Sequence, residues 1–177
     1  YVGILFMINY YLNILINNYF FILYIINMAD VSSQTIKKIV VLYSGRFQPM
    51  GPHHAGVYEK IKAHFESIYG PGVDTYVVTS NKVELPDSPF NFEQKKQIIN
   101  SHGITNVVQV KSPYAATEIL SKYDPETTAA IYIVGHKDTV RTKSMIGVTK
   151  AGKPKHYKMY NDNVDSLTSY KKHSYLY

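Results

Sequence analysis

Apolar and polar positions alternate in a regular order from residue 28 onward. Ile39-Val40-Val41-Leu42-Tyr43 is an almost unbroken apolar run, the pattern of a strand buried on both faces. A Gly- and Pro-containing loop follows, from Gly45 to Pro52. The spacing then predicts a helix over 54–69, with Val57, Ile61, Phe65 and Ile68 on one face and Gly70-Pro71-Gly72 as its stop. Residues 73–80 read as a second strand. Asn91, with Gln94 three residues on, is an N-cap for a helix over 92–100 that carries Ile98 and Ile99. Residues 106–110 read as a third strand. Ser112 and Pro113 predict a cap and first helical position for a helix running to Tyr123. Residues 129–134 form a fourth strand, ending at Gly135-His136-Lys137-Asp138.

Strand and helix thus alternate three times. The predicted fold class is α/β, a Rossmann-like open parallel sheet with right-handed crossovers and helices on both faces. In such sheets ligands bind beyond the carboxyl ends of the strands. Three segments lie there: Gly45–His54, Ser80-Asn81-Lys82 and Gly135–Asp138. After Arg141 the pattern weakens. Residues 143–158 are basic and Gly-rich and read as a mobile loop. Residues 170–177 read as the start of another strand, cut short.

Residues 1–27 stand apart. The segment carries no charged residue, and it exceeds the roughly 20 apolar residues that span a bilayer. Asn9, Asn13, Asn17 and Asn18 interrupt it, and no basic region precedes it as in a signal peptide. The favoured reading is AT-rich sequence translated ahead of a start at Met28. The rivals are a membrane anchor and an amphipathic helix with an Asn stripe facing water. The domain proper is expected over 28–177.

The chain has 177 residues, enough for one domain with a sizeable core, and a formal charge of +6. That charge favours anionic partners without choosing among nucleotides, nucleic acid and membrane surfaces. The absence of cysteine excludes disulfides and thiolate metal sites. It is compatible with the expected cytoplasmic location; a membrane partner is expected only if residues 1–27 belong to the protein. Oligomeric state is left open.

The leading candidate for chemistry is the first loop. Gly45 follows a buried strand at once and allows a close backbone approach. His53 and His54 stand at the mouth of a helix, whose N–H groups and dipole suit phosphate. Arg46 adds a cation. Gly147–Pro154 nearly spells a P-loop, but Pro154 stands where the Mg²⁺-binding hydroxyl belongs. Thr142-Lys143-Ser144-Met145 faintly resembles the lysine loop of class I tRNA synthetases, in a chain too short to be one. His53 and His54 suggest no third zinc ligand.

The string Gly45-Arg46-Phe47-Gln48-Pro49 resembles the opening of the signature of the HxGH-motif nucleotidyltransferase superfamily. That superfamily includes nicotinamide mononucleotide adenylyltransferases and cytidylyltransferases. Its continuation places the second motif His on His54, but the first His or Thr on Gly51 and the motif Gly on His53. Either His53 substitutes for the first imidazole, or the site binds nucleotide with weaker chemistry. Ser80-Asn81-Lys82 matches a loop lining the family's site. Gly135–Asp138 followed by Arg141 is similar to its Gly-x-x-Asp nucleotide loop. The resemblance covers roughly residues 38 to 141. The late Ile-Ser-Ser/Gly-Thr-x-x-Arg motif is missing, which reads as a truncated frame.

The resemblance implies an adenylyl- or cytidylyltransferase. A nucleoside triphosphate and a small phosphorylated acceptor would be its partners, and Mg²⁺, held mainly by the nucleotide phosphates, its cofactor. His54 would be catalytic, assisted by His53. Gly45, Arg46, Phe47, Gln48, Pro49, Gly51, Lys82, Gly135, Lys137, Asp138 and Arg141 would bind nucleotide. Lys82 also reads as a solvated loop lysine, and Asp138 as a helix cap. Related short proteins occur in phages and large viruses, so a viral gene, acting in a host cell, is an expectation. The second hypothesis is a module that binds nucleotide without catalysis. The third is a basic nucleic-acid-binding protein, in which Tyr157, Tyr160, Tyr170, Tyr175 and Tyr177 stack bases among lysines. The blander reading of that tail, a polar loop and strand, is preferred.

Overall fold

The computed structural model describes residues 15, 16, 18, 19, 35–135, 138–162 and 167–177. The chain divides into two units, 1–34 and 35–177. The four described residues of the first unit are helical; the expectations for residues 1–27 otherwise fall outside the described residues. Among the described residues no helix is long and apolar enough to cross a membrane.

The second unit is a six-stranded sheet in the order β3-β2-β1-β4-β6-β5. The strands are β1 (Lys38–Ser44), β2 (Val73–Thr79), β3 (Val107–Gln109), β4 (Thr128–Ile133), β5 (Tyr157–Met159) and β6 (Ser174–Leu176). Every neighbouring pair is parallel. The helices are α1 (Pro52–Tyr69), α2 (Phe92–Ser101), α3 (Thr117–Leu120) and α4 (Thr139–Lys143). Side-chain alternation along β1 divides the core. Ile39, Val41 and Tyr43 pack with Ala55, Tyr58, Ile61 and Phe65 of α1 and with Ile99 of α2. Val40 and Leu42 pack on the other face with Ile119 and Leu120 of α3. The α/β Rossmann-like parallel sheet is therefore present. Successive connections change sides at the β1–β4 boundary, which makes the carboxyl ends of those two strands the switch point.

Three expectations need correction. The buried stripe of α1 runs through Ala55, Tyr58, Ile61 and Phe65, while Val57 is exposed. Tyr58 decides this phase, because its hydroxyl reaches inward to donate to the Thr75 carbonyl. The helix predicted from Ser112 to Tyr123 shrinks to α3. Ser44 Oγ takes the Pro113 carbonyl, Tyr157 the Tyr114 carbonyl and Tyr132 the Ala115 carbonyl. A longer helix would need those acceptors for its own N–H groups. Ala116 turns into the left-handed region (φ 44°) before α3 begins. Finally, 143–158 is no featureless loop. It contains the end of α4, bridges at Ile146–Tyr157 and Val148–Pro154, and the start of β5. The near-P-loop there is a tight hairpin closed by Thr149 N–H to the Lys153 carbonyl, with no helix behind it. The strand start expected at the end is β6, seated between β4 and β5.

The tyrosines are mostly structural. Tyr69 pairs with Tyr160, Tyr76 with Tyr123, and Tyr123 donates to Asp74. Of the tail tyrosines, Tyr160 and Tyr175 are buried and only Tyr177 is exposed. The rings of Tyr160 and Tyr175 pack inward, and Tyr157 and Tyr170 are partly buried.

β6 also buries His173. Its Nε2 lies 3.0 Å from both Thr168 Oγ1 and Tyr175 Oη. Burial, then Lys158, His156 and Lys172, push its pKa down to about 4. The unfolded chain, with an ordinary imidazole, therefore binds a proton that the folded chain refuses between about pH 6.5 and 4. Stability is expected to fall as pH drops through that window, by up to about 3 kcal/mol from this residue. The urea midpoint followed against pH checks this, and His173→Gln should flatten the slope.

Candidate phosphate-binding loop at the β1–α1 junction

The loop leaves β1 at Gly45, whose N–H donates to the Val78 carbonyl at 3.1 Å. Phe47 then adopts a left-handed backbone (φ 45°) and turns its ring back over Gly45. A Cβ on Gly45 would lie 2.6 Å from Phe47 Cζ. The bareness of Gly45 thus makes room for Phe47, which is buried and edge-on to both Tyr43 and His54. Arg46 is exposed and forms no ion pair among the described residues; its carbonyl accepts from Thr79 Oγ1. Gln48 engages the backbone of Phe90. Its Nε2 donates to the Phe90 carbonyl (3.1 Å), and its Oε1 accepts from Phe90 N–H (2.9 Å). It clamps the first loop to the segment before α2. Pro49, after a cis peptide, is exposed, and the carbonyl of buried Met50 contacts His102 Nε2.

The histidines are arranged by Gly51. Its N–H donates to His54 Nδ1 at 3.2 Å, so that nitrogen carries no proton and Nε2 is the donor of the neutral ring. Burial, and then His53, lower the His54 pKa below the ordinary imidazole value. The His53 and His54 rings lie 3.9 Å apart. A Cβ at residue 51 would stand 3.1 Å from the His53 ring. The helix mouth is narrower in donors than the sequence suggests. Pro52 has no N–H, and His54 N–H already bonds to the Gly51 carbonyl. Among the described residues, no carbonyl accepts the His53 N–H.

The other candidates follow the carboxyl ends of β2 and β4 and differ in state. Lys82 is exposed and paired with Glu84 at 2.6 Å, so its charge is met locally. Asp138 N–H donates to the Gly135 carbonyl, and Thr142 Oγ1 donates to the Asp138 carbonyl at the start of α4. Gly135 and Gly45 follow neighbouring strands. Lys137 and the side chain of Arg141 lie outside the described residues.

The supports of the site are Asn81, from the second expected loop, and Lys95, which carried no motif. Asn81 Oδ1 accepts from Phe92 N–H at the start of α2. Lys95 is 1% exposed, and its Nζ donates to the Ser80 carbonyl at 2.7 Å. Its position was readable. The capping box of Asn91 and Gln94 sets the phase of α2, which places residue 95 between buried Phe92 and Ile99. Burial lowers its pKa. Lys95→Met is expected to strand the Ser80 carbonyl and cost about 1–3 kcal/mol, measured by denaturant unfolding.

No protein-family model matches this chain, and no curated protein matches its sequence.

Proposed function

We propose that residues 35–177 act as a nucleotidyltransferase of the HxGH type. In this reading an acceptor phosphate oxygen attacks the α-phosphorus of ATP or CTP. The phosphoanhydride bond to the leaving pyrophosphate breaks as the new phosphoanhydride bond to the acceptor phosphate forms. The observation that carries it is the pairing of His54 and Gly51 at the mouth of α1. The N–H of Gly51 holds His54 with Nε2 as its donor, beside the one helix N–H left without a carbonyl. A fixed donor of this kind stabilises charge developing on phosphate oxygens, and the protein mainly orients the reactants. Gly51 occupies the position of the first motif imidazole, and His53 packs where a side chain there would stand. This supports His53 as the substitute for that imidazole.

Arg46 supplies a cation not committed to a carboxylate. Asp138, beyond β4, is suited to accept from ribose or base. Among the described residues no three His, Asp or Glu side chains group to hold a metal ion. In this reading Mg²⁺ is held mainly by the phosphates of the triphosphate. A second reading, nucleotide binding without turnover, draws on the Lys82–Glu84 pair and the lowered His54 pKa, which leave the cradle short of positive charge. Pyrophosphate release from ATP or CTP with nicotinamide mononucleotide or another small phosphorylated acceptor separates the two. Release that requires an acceptor supports transfer. Nucleotide binding without release from any acceptor tried would leave the binding module.

A further inference from the structure

A cleft of about 430 Å³ opens on the α3 face of the sheet, across from α1 and its histidines. It is lined by Tyr132, Tyr157, Tyr170, His156 and Leu120. Tyr132 and Tyr157 meet edge to face at 5.5 Å, and His156 meets Tyr157 the same way at 5.2 Å. The phenol hydroxyls already have partners. Tyr132 donates to the Ala115 carbonyl, Tyr157 to that of Tyr114, and Tyr170 to those of Leu120 and Tyr123. The phenols are thereby held by their polar ends; Tyr132 is buried, so Tyr157, Tyr170 and His156 supply the ring surface the cleft can offer. Burial raises the pKa of all three phenols and lowers that of His156, so no lining group is charged near neutral pH. Thr117 and Ser121, one turn apart on α3 and its cap, also line the cleft, and Thr117 Oγ1 donates to Glu118 Oε2 at 3.3 Å.

Such a cleft disfavours phosphate, whose desolvation nothing here would offset. Its volume falls in the range of small-molecule sites. We propose that it binds a flat, uncharged heteroaromatic ring of one or two fused rings, held between aromatic walls with its polar edge toward Thr117 and Ser121. This site is separate from the phosphate loop and stands whether or not that loop catalyses transfer.

Indole is the probe, followed by ligand-observed NMR on the full chain. Saturable binding is expected, unaffected by inorganic phosphate. Filling the cleft from its rim with Ser121→Trp or from its wall with Ala115→Phe should weaken binding at least about tenfold, while His54→Ala leaves it unchanged. Two filling variants guard against one that fails to fold. Absence of indole binding to the wild-type chain, or undiminished binding in both folded filling variants, overturns the proposal. So does loss of binding in a folded His54→Ala chain.

Discussion

Gly45→Ala is expected to lower stability by about 1–3 kcal/mol, which for a domain of this size is a fall in Tm of roughly 3–10 °C. The new methyl would meet the Phe47 ring at 2.6 Å. A side-chain tip can often swing away from such a contact, but this one cannot do so freely. Phe47 is buried, it is edge-on to Tyr43 and His54, and its backbone sits at φ 45°. Moving the ring therefore disturbs the residue that bounds His54. The double substitution with Phe47→Ala should be less destabilised than the sum of its parts, since each removes one side of the same clash. Thermal unfolding of the three variants measures this coupling. Strict additivity would mean that Gly45 serves something other than Phe47.

His54→Ala is the second large effect. If the loop transfers nucleotides, loss of the fixed donor should reduce pyrophosphate release about 10²–10³-fold, with little change in Tm because the ring is only half-buried. His53→Ala should lose less, since its ring is exposed and no Gly51 N–H holds it. Equal losses at both positions would show that the pair acts as a unit.

β1 and β4 were legible as nearly unbroken apolar runs and β2 as a β-branched and aromatic one, whereas β5, three residues in a basic stretch, was not. β1 and the cap of α2 lie close to their predicted places. The helix after β3 was misread for a long-range reason. Its local signals, Ser112 and Pro113, are real, but three hydroxyls from β1, β4 and β5 take the carbonyls it would have used. No window of sequence around Ser112 contains Ser44, Tyr132 or Tyr157. The site was legible in outline and not in its division of labour. Gln48 lies in the motif, yet its amide ties down Phe90, a partner 42 residues away. Gly45 suggested room for a ligand, and the room is taken by Phe47. Lys82 suggested free charge, and Glu84, two residues on, meets it. Gly51 broke the expected motif, and only the folded loop shows that a side chain there would press on the His53 ring at 3.1 Å.

The central claim is that nucleotide phosphates bind at the mouth of α1 through His54. The most direct measurement is a titration of the full chain with Mg·ATP and Mg·CTP, following the histidine C2–H signals by NMR. One nucleotide should shift the His54 signal saturably, and the response of the remaining signals should be lost in a folded His54→Ala chain. Saturable binding that leaves the His54 signal unmoved, and that survives His54→Ala unchanged, would contradict it.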